Sequence, residues 1–282
     1  MSHRQAKRAR QEARRERQTG LATRRSTTER GGFLGSLSHR RKLTWAKFHI
    51  DEAERLIKGW VDDGGYRVFQ EFDDKGGVRL MAEMLQPLPD EMSLVIGDAL
   101  QNLRNSLDNL AFALAGANTP GMMPQEERMV SFPVSDSAVA LTDRRISLMS
   151  SAVQRAICDL APDPARGPLD QNPLWLLNKA ANRDKHREIT AIAAAYGVQD
   201  FSISGGYISH MRTNRQPLRL GERPKPILEI SAGTHVRMHM RHRLLIGFGQ
   251  GIEVANREIV PTLRTFHDHI RDVVFKRLEP YL

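Results

Sequence analysis

Between Glu91 and Ala115 lies a stretch, EMSLVIGDALQNLRNSLDNLAFALA, that carries more hydrogen-bonding side chains than a solvated helix needs. Asp98, Gln101, Asn102, Asn105, Asp108 and Asn109 recur along it, with almost no Lys or Glu beside them. Asn and Asp are poor helix formers, whereas a face turned to water favours Lys, Glu and Arg. Their repetition implies hydrogen bonding to a ligand or to neighbouring helices. A second polar series follows in LLNKAANRDKHRE. There Trp175, Asn178, Asn182 and His186 recur three and four residues apart and share one helix face. The candidate ligand-binding residues are therefore Asp98, Asn102, Asn105, Asp108, Asn109, Asn178 and Asn182. The competing reading is architectural: Arg104 pairs with Asp108 four residues on, and the amides knit helices together.

Other groupings are less informative. Arg183, Lys185 and Arg187 in RDKHR suit a helix C-terminus, where the backbone dipole favours cations. They do not all share one face, which weakens them as a phosphate site. His235, Arg237, His239 and Arg241 would point to one side of a strand. The interleaved arginines make that stripe a better contact for phosphate than for metal. His267 and His269 flank Asp268, but residues two apart on a helix face different ways. Gly247-Phe248-Gly249-Gln250-Gly251 lacks the spacing of a dinucleotide loop and the Lys-Ser/Thr of a P-loop. It reads as a flexible strand-to-helix connection. Cys158 is the one cysteine, read as a small buried hydrophobe. No zincin pattern is present, and neither metal nor cofactor is expected.

The elements that must position these residues follow from periodicity. Ile96, Leu100, Leu103, Leu107, Leu110 and Leu114 are spaced four and three apart, the seam of a long amphipathic helix. Asp90 is placed to cap it. A first helix is expected over Leu43 to Trp60, with Thr44 as N-cap and Trp45, Phe48, Ala53, Leu56 and Trp60 as its large or apolar positions. His49 is read as a partly buried structural histidine. Tyr66 to Leu85 predicts a β-hairpin turning at Asp73 to Gly77. A further helix is expected over Ser151 to Leu160. Another starts at Asn172-Pro173, a cap residue followed by Pro at the first helical position, and runs to about Thr190. After Tyr196, DFSISGG, YISHM, PILEIS and THVRMHMRHRLLIGF read as strands of one small antiparallel sheet, with room for the early hairpin to join it. Ile259 to Leu278 forms the last helix.

The net charge of +9 is concentrated at one end. Residues 1–42 hold thirteen Lys or Arg against three Glu, so the remainder is close to neutral. That segment is expected to be a disordered basic arm, able to meet nucleic acid non-specifically through its phosphates. Residues 43–282 are expected to form a single α+β domain. No apolar run approaches the roughly 20 residues of a membrane span, and no apolar segment follows the basic N-terminus as in a secretory signal. With a single cysteine, a reducing cytoplasm is the expected compartment.

GDALQNLRNSLDNLAFALA, with WAKFH before it and LLNKAANRDKHRE after it, resembles a family of uncharacterised bacterial proteins sharing a GDALxNLRxxLDxL helix, a Phe-Pro and a DKHR segment. The resemblance covers about residues 43–190 well and the rest loosely. It implies a shared fold and no established activity. The helix also resembles the HEPN class of helical bundles, associated with RNA cleavage and RNA binding. HEPN nucleases carry Arg, a polar residue, three more residues, then His. Arg104-Asn105-Ser106-Leu107-Asp108 matches, and Asn109 stands where His belongs. An imidazole can move a proton near neutral pH and an Arg can stabilise phosphorane charge, whereas Asn has no titratable proton. The resemblance therefore implies Arg104 as a catalytic residue only with a histidine from elsewhere, and His186 is the candidate.

The sequence thus predicts an α+β protein: a HEPN-like helical bundle with an antiparallel β-sheet. Three functions stay open. One is a HEPN-like protein binding RNA or a nucleotide, with weak or no nuclease activity and scope for a homodimer through the polar helix. Another is an interaction protein whose polar helix is an internal network. The third is a metal-independent endoribonuclease using Arg104 and His186.

Overall fold

The structure is a computed structural model that describes residues 37–75, 77–186, 189–204, 208–213, 218–232 and 237–282. It is a mixed α+β protein with antiparallel sheets. The helices are α1 (Ser38–Asp62), α2 (Glu91–Asn118), a single turn α3 (Pro124–Glu127), α4 (Ser151–Leu160), α5 (Pro173–His186) and α6 (Ile259–His269). The chain continues from α6 through a π-helical segment (Ile270–Phe275) into a last α turn (Lys276–Leu278).

The long helix α2 lies at the centre, packed against α1, α5 and α6. Its predicted seam is fully inside: Ile96, Leu100, Leu103, Leu107, Leu110 and Leu114 are all buried. Each such side chain stabilises the fold by about 1.5–3 kcal/mol relative to exposure. Asp90 occupies the N-cap position, but its carboxylate takes no cap hydrogen bond.

The first helix differs from expectation at both its start and its inner face. α1 begins at Ser38 and so includes residues 38–42, which the sequence reading assigned to the arm. Thr44 is no cap: it lies inside the helix, and its hydroxyl donates back to the Arg40 carbonyl at 3.0 Å. The buried stripe is His39, Leu43, Ala46, Ile50, Ala53 and Trp60. Trp45 and Phe48 point outward instead, both more than half exposed. The inner face follows Leu43, Ala46, Ile50 and Ala53, at spacings of three and four, and the two large rings fall off that arc.

Trp60 locks the end of α1 to the segment that leaves the following hairpin. Its indole N–H donates to the carbonyls of Gln86 and Pro87 at 3.2 and 3.1 Å. A Cβ at Gly65 would collide with the Trp60 ring, so glycine is required where the chain turns over it.

The hairpin forms as predicted, β1 (Tyr66–Phe72) against β2 (Val78–Met84), with Tyr66 opposite Met84. Asp73 closes the turn, accepting from the amides of Lys75 and Gly77 at 2.9 and 2.6 Å. The C-terminal strands are β3 (Ala191–Ser204), β4 (Ile208–Thr213), β5 (Leu218–Arg219), β6 (Lys225–Ala232) and β7 (Arg237–Phe248). They form two sheets rather than one. The hairpin joins the first, in the order β1-β2-β6-β4, and the second is β5-β3-β7. The strand region also starts earlier than expected, at Ala191. The run AIAAA pairs with Phe248 back to Leu244 on β7, and Ile192, Ala193 and Ala194 are buried there.

Candidate functional site

The polar face of α2 meets three structures: α5, the loop that carries Phe132, and Lys42 of α1. Against α5 the register is clear. Gln101 donates to the Ala181 carbonyl at 2.7 Å and to Asp184 Oδ2 at 3.1 Å. One turn earlier, a Cβ at Gly97 would lie 2.6 Å from Asp184 Oδ1, so Gly97 opens the space that Asp184 fills. Further along α2, the loop segment Phe132–Asp136 spans the two helices. At one end it binds Arg104 and Asp108 of α2. At the other, Asp136 accepts from the Trp175 indole N–H at 2.7 Å and lies 2.9 Å from Lys179 Nζ on α5. Later positions on α2 thus match earlier positions on α5, and the two helices run antiparallel.

Arg104 is the buried charge of this site. Its Nη2 donates to the Phe132 carbonyl at 2.7 Å and lies 2.9 Å from Asp108 Oδ1. Asp108 Oδ1 also accepts from the Phe132 amide at 3.0 Å. The ring of Phe132 is fully buried, so one residue of the loop is held by its side chain and by both its backbone groups. Burial pulls the Arg104 guanidinium below its ordinary value, Asp108 counters this, and nearby Arg145 adds to the depression. Arg145 is itself paired with Asp143 at 2.6 Å. Arg104 Nη1 is buried without a hydrogen-bond partner.

The other predicted residues divide into three groups. Asn102 is buried and occupied: it donates to the Asp98 carbonyl of its own helix at 2.8 Å and accepts from Lys42 at 3.3 Å. Asp98 and Asn182 are exposed. Asn105, Asn109 and Asn178 are half-buried and have no side-chain hydrogen-bond partner among the described residues. Asn105 lies one turn beyond Gln101, and Asn178 one turn before Ala181. In an antiparallel pair these two stand at the same level of the α2–α5 seam.

His186 is the last residue of α5, and its side chain lies outside the described residues. Its backbone follows Asp184, which packs beside Gly97 and Gln101. Arg104 is seven residues past Gly97, about 10 Å further along the axis at ~1.5 Å per residue. The fold therefore places the backbone of His186 and Arg104 at different levels of α2.

Of the remaining groupings, Arg183 is half-buried, with its guanidinium 3.5 Å from a Cβ built on Gly251, and Lys185 is exposed. Arg187 and His235 lie outside the described residues, as do the side chains of Arg237, His239 and Arg241. His267 is buried and shares a 3.0 Å contact with Asp268. Cys158 is half-buried, and burial, with Asp159 and Asp143, pushes its thiol up, away from a reactive thiolate. Among the described residues no cluster of His, Cys, Asp and Glu could hold a metal ion. No helix among them is long and apolar enough to cross a membrane.

Sequence reasoning missed the role of the Phe132–Asp136 segment. The signal available was the SFPV run after a Gly- and Pro-rich loop, an apolar residue where a solvated loop would be polar. It also missed the exposure of Trp45 and Phe48. Compared with protein-family models, curated proteins and solved structures, the chain matches none.

Proposed function

We propose that the chain is a HEPN-like, cytoplasmic RNA- or nucleotide-binding protein that does not cleave its ligand. The observation that carries the binding is the trio of half-buried, unbonded amides, Asn105, Asn109 and Asn178, along the α2–α5 seam. Their amide atoms remain within reach of solvent, and a base edge offers paired donors and acceptors that match a side-chain amide. The absence of cleavage follows from Arg104 and Asn109. The guanidinium is engaged by Asp108 and Phe132, and the position after Asp108 has no titratable group. A helical set packed around α2 is what a HEPN-like bundle requires. A homodimer through the polar face of α2 would have to displace the Phe132–Asp136 segment.

A second reading is favoured by the Arg104–Asp108–Phe132 contacts and the Gln101–Asp184 bond. In it the polar face is an internal network, and the protein works through protein partners. RNA binding by the full-length protein across a salt titration, with product analysis on a gel, separates these readings. The expected result is binding without cleavage, weakened in the Asn105→Ala/Asn178→Ala protein. Cleavage lost in Arg104→Ala would overturn the non-enzymatic reading. Unchanged binding in the doubly substituted protein would overturn the seam as the binding site and leave the network reading of it.

A further inference from the structure

We propose that the exposed aromatic face of α1 is a stacking platform for single-stranded RNA. This rests on the reading that the chain binds RNA, and it adds a contact surface separate from the α2–α5 seam. Trp45 and Phe48 are 54% and 53% exposed. Their rings are stacked, with centroids 5.1 Å apart and planes 16° from parallel. His49 stands edge-on to both, at 5.7 and 5.5 Å. Trp45 and Phe48 thus make one outward surface, with half-buried His49 at its edge, on a helix whose core contacts lie on the other side.

The charge around the rings selects the partner. From Ser38 to His49 the helix carries Arg40, Arg41, Lys42 and Lys47 and no acidic residue. Arg40 is paired with Glu279 and Lys47 with Asp51, and Lys42 donates to Asn102. Arg41 is exposed, has no partner among the described residues, and lies one turn before Trp45. Glu52, one turn past Phe48, is paired with Arg55. Residues 1–36 hold ten Lys or Arg and three Glu, and they lead through Leu37 directly into this helix. The platform therefore begins about two turns from the end of a strongly basic segment.

That combination fits a single strand. Unstacked bases lay their faces on aromatic rings, and their phosphates release counterions to nearby cations. A duplex keeps its base faces hidden and has no use for the rings. A symmetric second copy would bring Arg41 towards its own counterpart with no acidic partner offered, which gives self-association through this face no charge complementarity.

The test uses the full-length protein and a fluorescein-labelled 15-mer oligouridylate, read by fluorescence anisotropy over a salt titration. Because both rings are exposed, Trp45→Ala/Phe48→Ala should melt like the parent protein. The expected result is binding weakened roughly tenfold or more in that double variant, with the slope of log K against log salt unchanged. Arg41→Ala should instead reduce the slope by about one. Full binding in the aromatic double variant, with loss in Asn105→Ala/Asn178→Ala, would overturn the platform while leaving RNA binding at the seam intact. No binding by the parent protein would overturn both proposals. A duplex bound as tightly as the single strand, or a polyglutamate peptide competing as well as the oligonucleotide, would also overturn the platform. The first outcome would assign binding to phosphate contacts alone, the second to an acidic protein partner.

Discussion

Arg104 donates through Nη2 to the backbone oxygen of Phe132 at 2.7 Å, while Asp108, one turn on, accepts from the backbone nitrogen of the same residue at 3.0 Å. A buried residue in a loop has no strand or helix partner for its amide and carbonyl, and each would be costly unpaired. The ion pair on α2 satisfies both. Arg104 and Asp108 thus act together as a clamp that lets a loop enter the core.

Removing Arg104 should therefore act on stability first. Arg104→Ala leaves the Phe132 carbonyl unpaired and Asp108 without its cation. The expected loss is about 2–4 kcal/mol, the upper end being reduced because Asp108 is about one-third exposed. Asp108→Ala should cost a similar amount, and the double variant clearly less than the sum, because both single changes break one unit. Urea melts of the four proteins measure this. Simple additivity would mean that the two residues do not act through Phe132 together.

The contact between Gly97 and Asp184 supplies a second prediction. Alanine is the better helix former by about 1 kcal/mol, so Gly97→Ala alone would be stabilising on an isolated helix. Here the added methyl meets Asp184 Oδ1 at 2.6 Å and disturbs its bond from Gln101. The helix gain should be cancelled or reversed in Gly97→Ala, and recovered when Asp184→Ala is added. A Gly97→Ala protein that is more stable than the parent by the full helix propensity would show that α5 does not sit this close to α2.

The helices, the hairpin and the seam of α2 were legible because hydrophobic period is a local signal, and in one case so was the cap. Asn172 is an example: it accepts from the amides of Leu174 and Trp175, as a cap residue before Pro should. What was not legible depended on partners distant in sequence. Nothing near Arg104 announces that its carbonyl acceptor lies 28 residues away. Trp45 was misplaced for a different reason, since the spacing of Leu43, Ala46, Ile50 and Ala53 already leaves it off the inner arc. A large ring scores as apolar whichever side of the helix it occupies. The division of the strands into two sheets is likewise a matter of pairing, which β-type composition does not encode.

The contact between the start of α1 and Glu279 gives a pH prediction whose sign is fixed by His39. This residue lies near the start of α1, with its side chain 1% exposed and Nε2 2.9 Å from Glu279 Oε1. Phe275 packs edge-on at 4.9 Å, Nδ1 has no partner, and Arg40 shares the same carboxylate. Burial lowers the imidazole below its ordinary 6.5, outweighing the Glu279 contribution that raises it. The unfolded chain therefore takes up a proton near pH 6.5 that the folded chain refuses, and stability present above that pH is lost as the pH falls below it. Burial lowers His269 in the same direction. Glu279 acts in a separate, lower window. Arg40 first, and then His39, hold its carboxyl below 4.5, so its contribution is lost only as the pH falls below about that value. Melting temperature should fall between pH 7.5 and 5, before the carboxylates titrate. His39→Phe, which keeps a ring against Phe275, should remove part of that fall, and His39→Phe/His269→Phe most of it. A parent protein that melts at the same temperature at pH 7.5 and pH 5 would show that neither imidazole is held neutral by the fold.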